Sequence, residues 1–376
     1  MGTVEAVMAS IVPSPRASLA GGSVEPSRLG GTERRSGPLP RPAPCTVLGG
    51  HPSGSLLIRT SPPSRQPLRL SLRHAPSEDR NVMTLSPLTR ARTLAIGVAL
   101  AAVSALAPTG IAAAATPSHL SVLSLGDSTT RAFAACGSFT DCPDFSWSTG
   151  GAPAVNSFAQ RLQKSRPGTT VTTANFAQSG NTVAQVPARI RAAVAAGVHP
   201  DVITLLIGGN DLCSPGNVAA SDGYTMTPVS TFRSGVEAAI STIRSTWPSA
   251  QIELSSVPNT ASQWRSERFA GAHLWSSGGL CRTTRGVSTS GAPLSPPAAT
   301  ASVAAAKKRV QDFNAALERT CSTAGPLCHW DGGALTRLDF TPDLISTIDH
   351  FHPNIAGQAA IAEVEWNASS FSHSSN

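Results

Sequence analysis

The chain has 376 residues and a formal net charge of +7, from 29 Lys and Arg against 22 Asp and Glu. Residues 1–115 hold 12 Arg against five acidic residues and none of the 18 aromatic residues, so the rest of the chain is neutral, with 17 charges of each sign. A basic balance confined to the leader excludes reading bulk charge as a nucleic-acid footprint, and it leaves one domain of ordinary size, long enough to bury a core.

In chain order, residues 1–82 come first, with 12 Pro, 12 Ser, 10 Arg, 9 Gly and no Phe, Trp or Tyr. Such a stretch has too little apolar surface to offset the entropy lost on folding, and it is expected to be a disordered leader. A different pattern opens at Met83: Arg90 and Arg92, then an apolar run over 94–106, then the small residues Ala112 to Ala115. Basic, apolar, then A-x-A is the layout of a secretory signal peptide, expected over 83–115 with cleavage near Thr116. The run falls short of the roughly 20 apolar residues that span a bilayer, so a cleaved signal is expected rather than an anchor. Because a signal peptide sits at a true N-terminus, translation is expected to start at Met83, the alternative being a genuine extension. Either way residues 116–376 are the expected exported domain.

Cysteine usage agrees with export. Cys45 lies in the leader, and Cys136, Cys142, Cys213, Cys281, Cys321 and Cys328 remain. Six cysteines in an exported chain suggest three disulfides, with 15 connectivities open to them. Nearest-neighbour pairing is the simplest, joining 136 to 142 and 321 to 328 and leaving 213 with 281. The chain has no C-x-x-C pair to favour a zinc cluster.

The exported domain alternates strands and helices. Residues 121–125 (SVLSL) read as a buried strand, 155–162 as part of a helix ending before Pro167, and 169–174 as a β-branched strand. Val183, Val186, Ile190 and Val194 recur at helical spacing, with Gly197 as the stop. Residues 202–207 (VITLLI) give the clearest core strand. The stripe Phe232, Val236, Ile240, Ile243 and Trp247 ends at Pro248, and 251–257 is the next strand. Residues 258–297 lack periodicity and read as a long loop carrying Trp264, Phe269 and Trp275. Val303, Ala306, Val310, Phe313 and Leu317 mark a long helix whose Lys307-Lys308-Arg309 run reads as a solvated face. A strand over 327–330 and a helix over 355–366 close the chain. Apolar strands alternating with helices imply a parallel sheet covered on both faces, with ligands bound at the strands' carboxyl ends.

Four polar motifs sit at those ends. Gly126-Asp127-Ser128 follows the first strand, where a serine on a turn exposes its hydroxyl; a helix cap is the competing role. Gln178-Ser179-Gly180-Asn181 follows the second, with a glycine that lets backbone approach a ligand. Gly208-Gly209-Asn210-Asp211 follows the third and matches neither phosphate-loop pattern. Asp349-His350-Phe351-His352-Pro353 precedes the last helix, where Asp and His three apart can place a carboxylate on one imidazole nitrogen and leave the other as a general base. A metal site built on Asp349, His350 and His352 is the competing reading of that motif.

Together, in the order Ser, Gly, Asn, Asp-His, these motifs resemble the SGNH (GDSL-type) hydrolase family over roughly residues 120–368, the secreted, disulfide-bearing actinobacterial lipases and esterases being most similar. The resemblance implies a flavodoxin-like three-layer α/β/α sandwich with a central parallel sheet. It also implies that Ser128 is the nucleophile, that Asp349 and His352 complete the triad, and that Ser128, Gly180 and Asn210 form the oxyanion hole. Thr129-Thr130 after the nucleophile depart from the family's usual residues, a difference of packing. The expected function is cleavage of carboxylic acyl esters, lipid-like or simple, through an acyl-enzyme, by a monomer with no metal, organic cofactor, nucleic-acid partner or stable membrane insertion. A carbohydrate acetylesterase is the alternative, with a non-catalytic binding module and a metal-dependent hydrolase behind it. Trp264, Phe269 and Trp275 are candidate walls of an acyl groove.

Overall fold

A computed structural model describes residues 118–372. The expected leader and signal peptide lie outside the described residues. In chain order the elements are β1 (Ser118–Gly126), α1 (Phe158–Ser165), β2 (Thr169–Asn175), α2 (Val186–Ala195), β3 (Val202–Leu206), α3 (Gly209–Cys213), α4 (Val229–Thr246), β4 (Gln251–Leu254), α5 (Thr260–Glu267), α6 (Ala272–Ser277), α7 (Pro296–Thr323), β5 (Cys328–Trp330), α8 (Ala334–Arg337) and α9 (Ile355–Ala368). The strands form one parallel sheet in the order β2-β1-β3-β4-β5, with helices on both faces, the three-layer α/β/α sandwich.

Strand alternation divides the core in two. Leu123, Leu125, Ile203, Leu205, Ile252 and Leu254 face α2, α4 and α7. Val122, Val202 and Leu206 face α1, α8 and α9. Each fully buried Leu or Ile contributes roughly 1.5–3 kcal/mol relative to exposure. Phe232 of α4 stacks on Phe313 of α7 at 3.8 Å between centroids, joining the two long helices over the sheet. On the other face hydroxyls replace methyls: the Thr204 Oγ1 lies 2.9 Å from Ser124 Oγ and 2.7 Å from Ser148 Oγ, so each buried hydroxyl keeps a partner. Because every crossover runs over a face, the turns that follow β1, β2 and β3 gather at one edge of the sheet, where the polar motifs lie.

Two expectations change. Residues 258–297 are not one loop: α5 and α6 lie within them. The buried residues of α5 are Thr260, Ser262, Gln263 and Glu267, a polar inward face that hydrophobic periodicity does not register, and its Asn259 cap accepts the Ser262 N–H at 3.0 Å. In the basic run of α7, Lys307 and Lys308 are exposed but Arg309 is buried. Its guanidinium donates to the Met226 and Thr227 carbonyls and pairs with Asp222. Disulfides join Cys136 to Cys142, Cys213 to Cys281 and Cys321 to Cys328. Among the described residues no helix is long and apolar enough to cross a membrane.

Candidate active site

Ser128 sits one turn beyond β1. Gly126 makes the turn with φ +151°, and a Cβ there would stand 2.4 Å from the Leu206 carbonyl oxygen and 2.6 Å from Thr130 Oγ1, so only glycine fits. Asp127 closes the turn on itself by accepting the Thr129 N–H at 2.9 Å. No helix follows Ser128 for it to cap; residues 127–136 run through successive turns, with Ala132 and Ala134 at positive φ. Ser128 therefore caps nothing. Thr130 is fully buried beneath it, accepting the Trp147 indole N–H at 3.3 Å, which accounts for the departure from the family's residues as packing.

The 346–353 loop brings the imidazole. His352 Nε2 lies 2.7 Å from Ser128 Oγ, and its Nδ1 lies 2.5 Å from Asp349 Oδ2. The other carboxylate oxygen, Oδ1, accepts the backbone N–H groups of Phe351 and His352, each at 3.0 Å. Three donors on a buried carboxylate fix its orientation. His352 is thus tautomer-specified: Nδ1 donates to Asp349, and Nε2 is left to accept from the serine hydroxyl. His350 turns elsewhere, with Nδ1 2.7 Å from Glu267 Oε2, so the two histidines do not converge on one point. Among the described residues no group of three His, Cys, Asp or Glu is placed to hold a metal ion.

The other two motifs face the serine across a cavity of about 220 Å³ lined by Ser128, Gly180, Asn210 and His352 among others. Gly180 adopts φ +85°. Neither its N–H nor that of Ser128 donates to another group among the described residues. Unbonded N–H groups at a cleft are the donors an anionic oxygen requires. Asn210 opens α3, and its amide nitrogen donates to the Asn181 carbonyl at 2.9 Å, which aims the side chain and leaves its second N–H for the cleft. Thr182, Gln185, Ser214, Pro215 and Asn217 complete much of the lining. The Cys213–Cys281 disulfide ties the two chain segments of this wall, and Cys281 N–H donates to the Cys213 carbonyl at 3.1 Å.

The sequence-expected acyl groove is not here. Trp275 is fully buried in the core with Trp264 tilted against it at 5.1 Å, and Phe269 is 82 % exposed under Arg268. None of the three lines the cavity.

Two buried carboxylates lie behind the serine. Burial raises the Asp127 carboxyl to about 6, opposed by the Thr129 N–H and the nearby His352. Burial likewise raises Asp211 to about 6, opposed by the Val183 N–H it accepts at 2.9 Å and assisted by repulsion from Asp127. Other supporting residues carried no sequence signal. Asp141 links Arg131 (3.0 Å) to the Ser179 hydroxyl (2.5 Å), bracing the turn before Gly180. Ser346 donates its hydroxyl to the Ala134 carbonyl at 2.8 Å, tying the histidine loop to the serine segment. Single Asp and Ser residues in loops look alike in sequence, and only their distant partners distinguish them.

A parallel sheet of this topology covered by helices on both faces, with Ser128, Gly180, Asn210 and His352 lining one cavity at its carboxyl edge, defines a protein of the α/β/α class. The chain belongs to the GDSL-like lipase/acylhydrolase family, the SGNH hydrolases, whose sequence profile matches residues 124–360, and this makes it an enzyme of esterase or lipase type. No relative among curated proteins matches. Solved structures that the chain resembles include TesA at 16 % identity and TM-score 0.41, covering 66 % of this chain and 97 % of that one. Others are the acetylxylan esterase Axe2 from Geobacillus stearothermophilus, at 17 %, TM-score 0.40 and 67 % and 95 % coverage, and the psychrotrophic esterase EstA from Pseudoalteromonas sp., at 15 %, TM-score 0.36 and 66 % and 96 % coverage.

Proposed function

We propose that residues 116–376 form an exported serine esterase that cleaves carboxylic acyl esters through an acyl-enzyme. The observation that carries this reading is the continuous chain from Asp349 Oδ2 through His352 to Ser128 Oγ, with links of 2.5 and 2.7 Å. Ser128 Oγ attacks the ester carbonyl while its proton passes to His352 Nε2; Asp349 stabilises the imidazolium through Nδ1–H. The carbonyl oxygen, now anionic, takes the N–H groups of Ser128 and Gly180 and the Asn210 amide. Collapse breaks the bond to the alkoxy oxygen, which leaves with the proton from Nε2. Water then gives a proton to the same nitrogen as it attacks the acyl carbonyl; the acyl–Oγ bond breaks, Ser128 Oγ takes the proton back from Nε2, and the carboxylic acid leaves. No step draws on a metal or organic cofactor.

The size of the cleft bears on the acyl group. About 220 Å³ is below the roughly 300–1,000 Å³ of sites that bury a drug-sized ligand, and no long aromatic wall extends it. This favours short acyl chains. The hydroxyl and amide lining from Thr182, Gln185, Ser214 and Asn217 gives weight to a second reading, deacetylation of a carbohydrate.

Hydrolysis of p-nitrophenyl esters from acetate to palmitate by residues 116–376, with EDTA present, tests the proposal. We expect acetate and butyrate to be preferred, and activity to vanish in Ser128→Ala. Activity unaffected by that substitution would remove the nucleophile assignment. An inert wild type would move acetylated glycans, and then a binding module, to the front. N-terminal sequencing of the exported protein tests cleavage near Thr116.

A further inference from the structure

We propose that Glu267 is a positioning residue for this reaction: its carboxylate grips His350 and, through the rigid 349–352 backbone, sets the aim of His352. The inference rests on the acyl-transfer role proposed for His352. Glu267 closes α5, and its side chain is 4 % exposed. A carboxylate so far from water is costly unless paired, and its partner is His350 Nδ1 at 2.7 Å.

Everything else around His350 presses on the same residue. It is held at φ +54°, a left-handed conformation that non-glycine residues adopt only when their surroundings impose it. The Trp275 indole N–H donates to its carbonyl at 2.7 Å. A Cβ at Gly271 would stand 2.6 Å from the His350 Cβ, so a glycine between α5 and α6 is what permits the approach. Phe351 then lies edge-on to both Trp275, at 5.0 Å, and His352, at 4.8 Å. The side chain, carbonyl and successor of His350 are thus all fixed by the 267–275 segment. Immediately afterwards the Phe351 and His352 N–H groups set the Asp349 carboxylate. Neither Glu267 nor His350 lines the cavity beside Ser128, so their contribution runs through geometry and not through contact with substrate. Misplacing a reacting group by about 1 Å can cost roughly 100-fold in rate.

The test compares Glu267→Ala, Glu267→Gln, His350→Asn and the Glu267→Ala/His350→Asn pair, with p-nitrophenyl acetate and with kcat expressed per titrated active site. Glu267→Ala is expected to lose roughly 10- to 100-fold in kcat with KM nearly unchanged. Glu267→Gln, which keeps an acceptor for Nδ1–H, should recover most of that. His350→Asn tolerates positive φ yet cannot make the pair, and it should match Glu267→Ala; the double variant should be no worse than either. A purely structural role would lower the titre of active sites and leave kcat per site alone. The low-field proton resonance of His352 Nδ1–H supplies a readout free of substrate and should shift or broaden in Glu267→Ala and in His350→Asn.

Wild-type kcat per site in Glu267→Ala, additive losses in the double variant, or an unmoved resonance would each overturn the proposal. If Glu267→Ala does not fold, Glu267→Gln and His350→Asn decide between the same outcomes. Activity persisting in Ser128→Ala would instead remove the acyl-transfer reading, and the resonance alone would then decide whether Glu267 sets His352.

Discussion

Around Ser128 the turn closes first on its own neighbours in the chain. Asp127 accepts from Thr129 two residues on, Phe133 N–H returns to the Ser128 carbonyl at 3.0 Å, and Gly126 supplies the only backbone that fits under Leu206. Around His352 the partners are remote: Glu267 and Trp275 reach His350 from 83 and 75 residues away, and Ser346 reaches Ala134 across 212. Both segments also take remote ties, the serine turn from Gln358 Nε2 to the Thr129 carbonyl and from Asn175 Nδ2 to the Thr130 carbonyl. Those ties stop at residues after Ser128, whereas Glu267 and Trp275 seize the residue two before His352. The contrast teaches that the position of Ser128 is set chiefly by its neighbours in the chain, while that of His352 depends on side chains that α5 and α6 bring to the loop.

Substitutions can break this comparison at either end. The largest effect is expected at Ser128→Ala, about 10⁶-fold in kcat with Tm unchanged, because the turn does not depend on the hydroxyl. Asp349→Asn should follow at about 10⁴-fold. The Phe351 and His352 N–H groups both donate to Oδ1, so the new side chain must leave its oxygen there and turn its NH₂ toward His352 Nδ1. That forces the ring proton onto Nε2, where it cannot accept from Ser128. Single-turnover rates at saturating ester check both.

Asn210→Ala should cost about 3–4 kcal/mol of barrier, roughly 100- to 1,000-fold in kcat, by removing one donor to the anionic oxygen and the tie to Asn181. A smaller, thermodynamic effect is expected at Asp211. Its folded carboxyl is raised from 3.8 to about 6, so the folded state holds a proton that the unfolded state has released between those values. Stability therefore falls as pH rises from about 4 to 6, by about 3 kcal/mol from this group. Asp211→Asn lacks that titration, and its urea-unfolding free energy relative to wild type should rise by about that amount between pH 4 and pH 7. A difference that stays flat with pH would contradict the burial account. Smallest of all, Asp141→Ala should lower kcat by about two- to ten-fold through the Ser179 turn, since the hydrogen bonds it removes are worth about 0.5–1.5 kcal/mol.

Much of this was legible beforehand because the relevant signals are short-range. The apolar strands 121–125 and 202–207, the stripes at Val186 and Phe232, and the placement of Ser128, Gly180 and Asn210 after β1, β2 and β3 all follow from neighbours within a few residues. Asp349-x-x-His352 is a local motif that lies between α8 and α9 and not at a strand end. Strand ends drift by one to three residues, as in β4, which stops at Leu254, because the ladder and not the apolar run ends a strand. The helix α5 escaped because its inward face is polar.

By itself, then, the sequence determined the alternation of strands and helices, the parallel sheet it implies, and which polar residues stand at its edge, since side-chain periodicity and turn chemistry are written along the chain. Tertiary structure alone decided that Arg309 goes inside, that Trp264, Phe269 and Trp275 leave the cleft, and that His350 turns to Glu267. His352 carries its carboxylate with it, since Asp349 stands three residues before it and the pair is written in the motif. His350 meets a carboxylate 83 residues away, and no local pattern announces that partner.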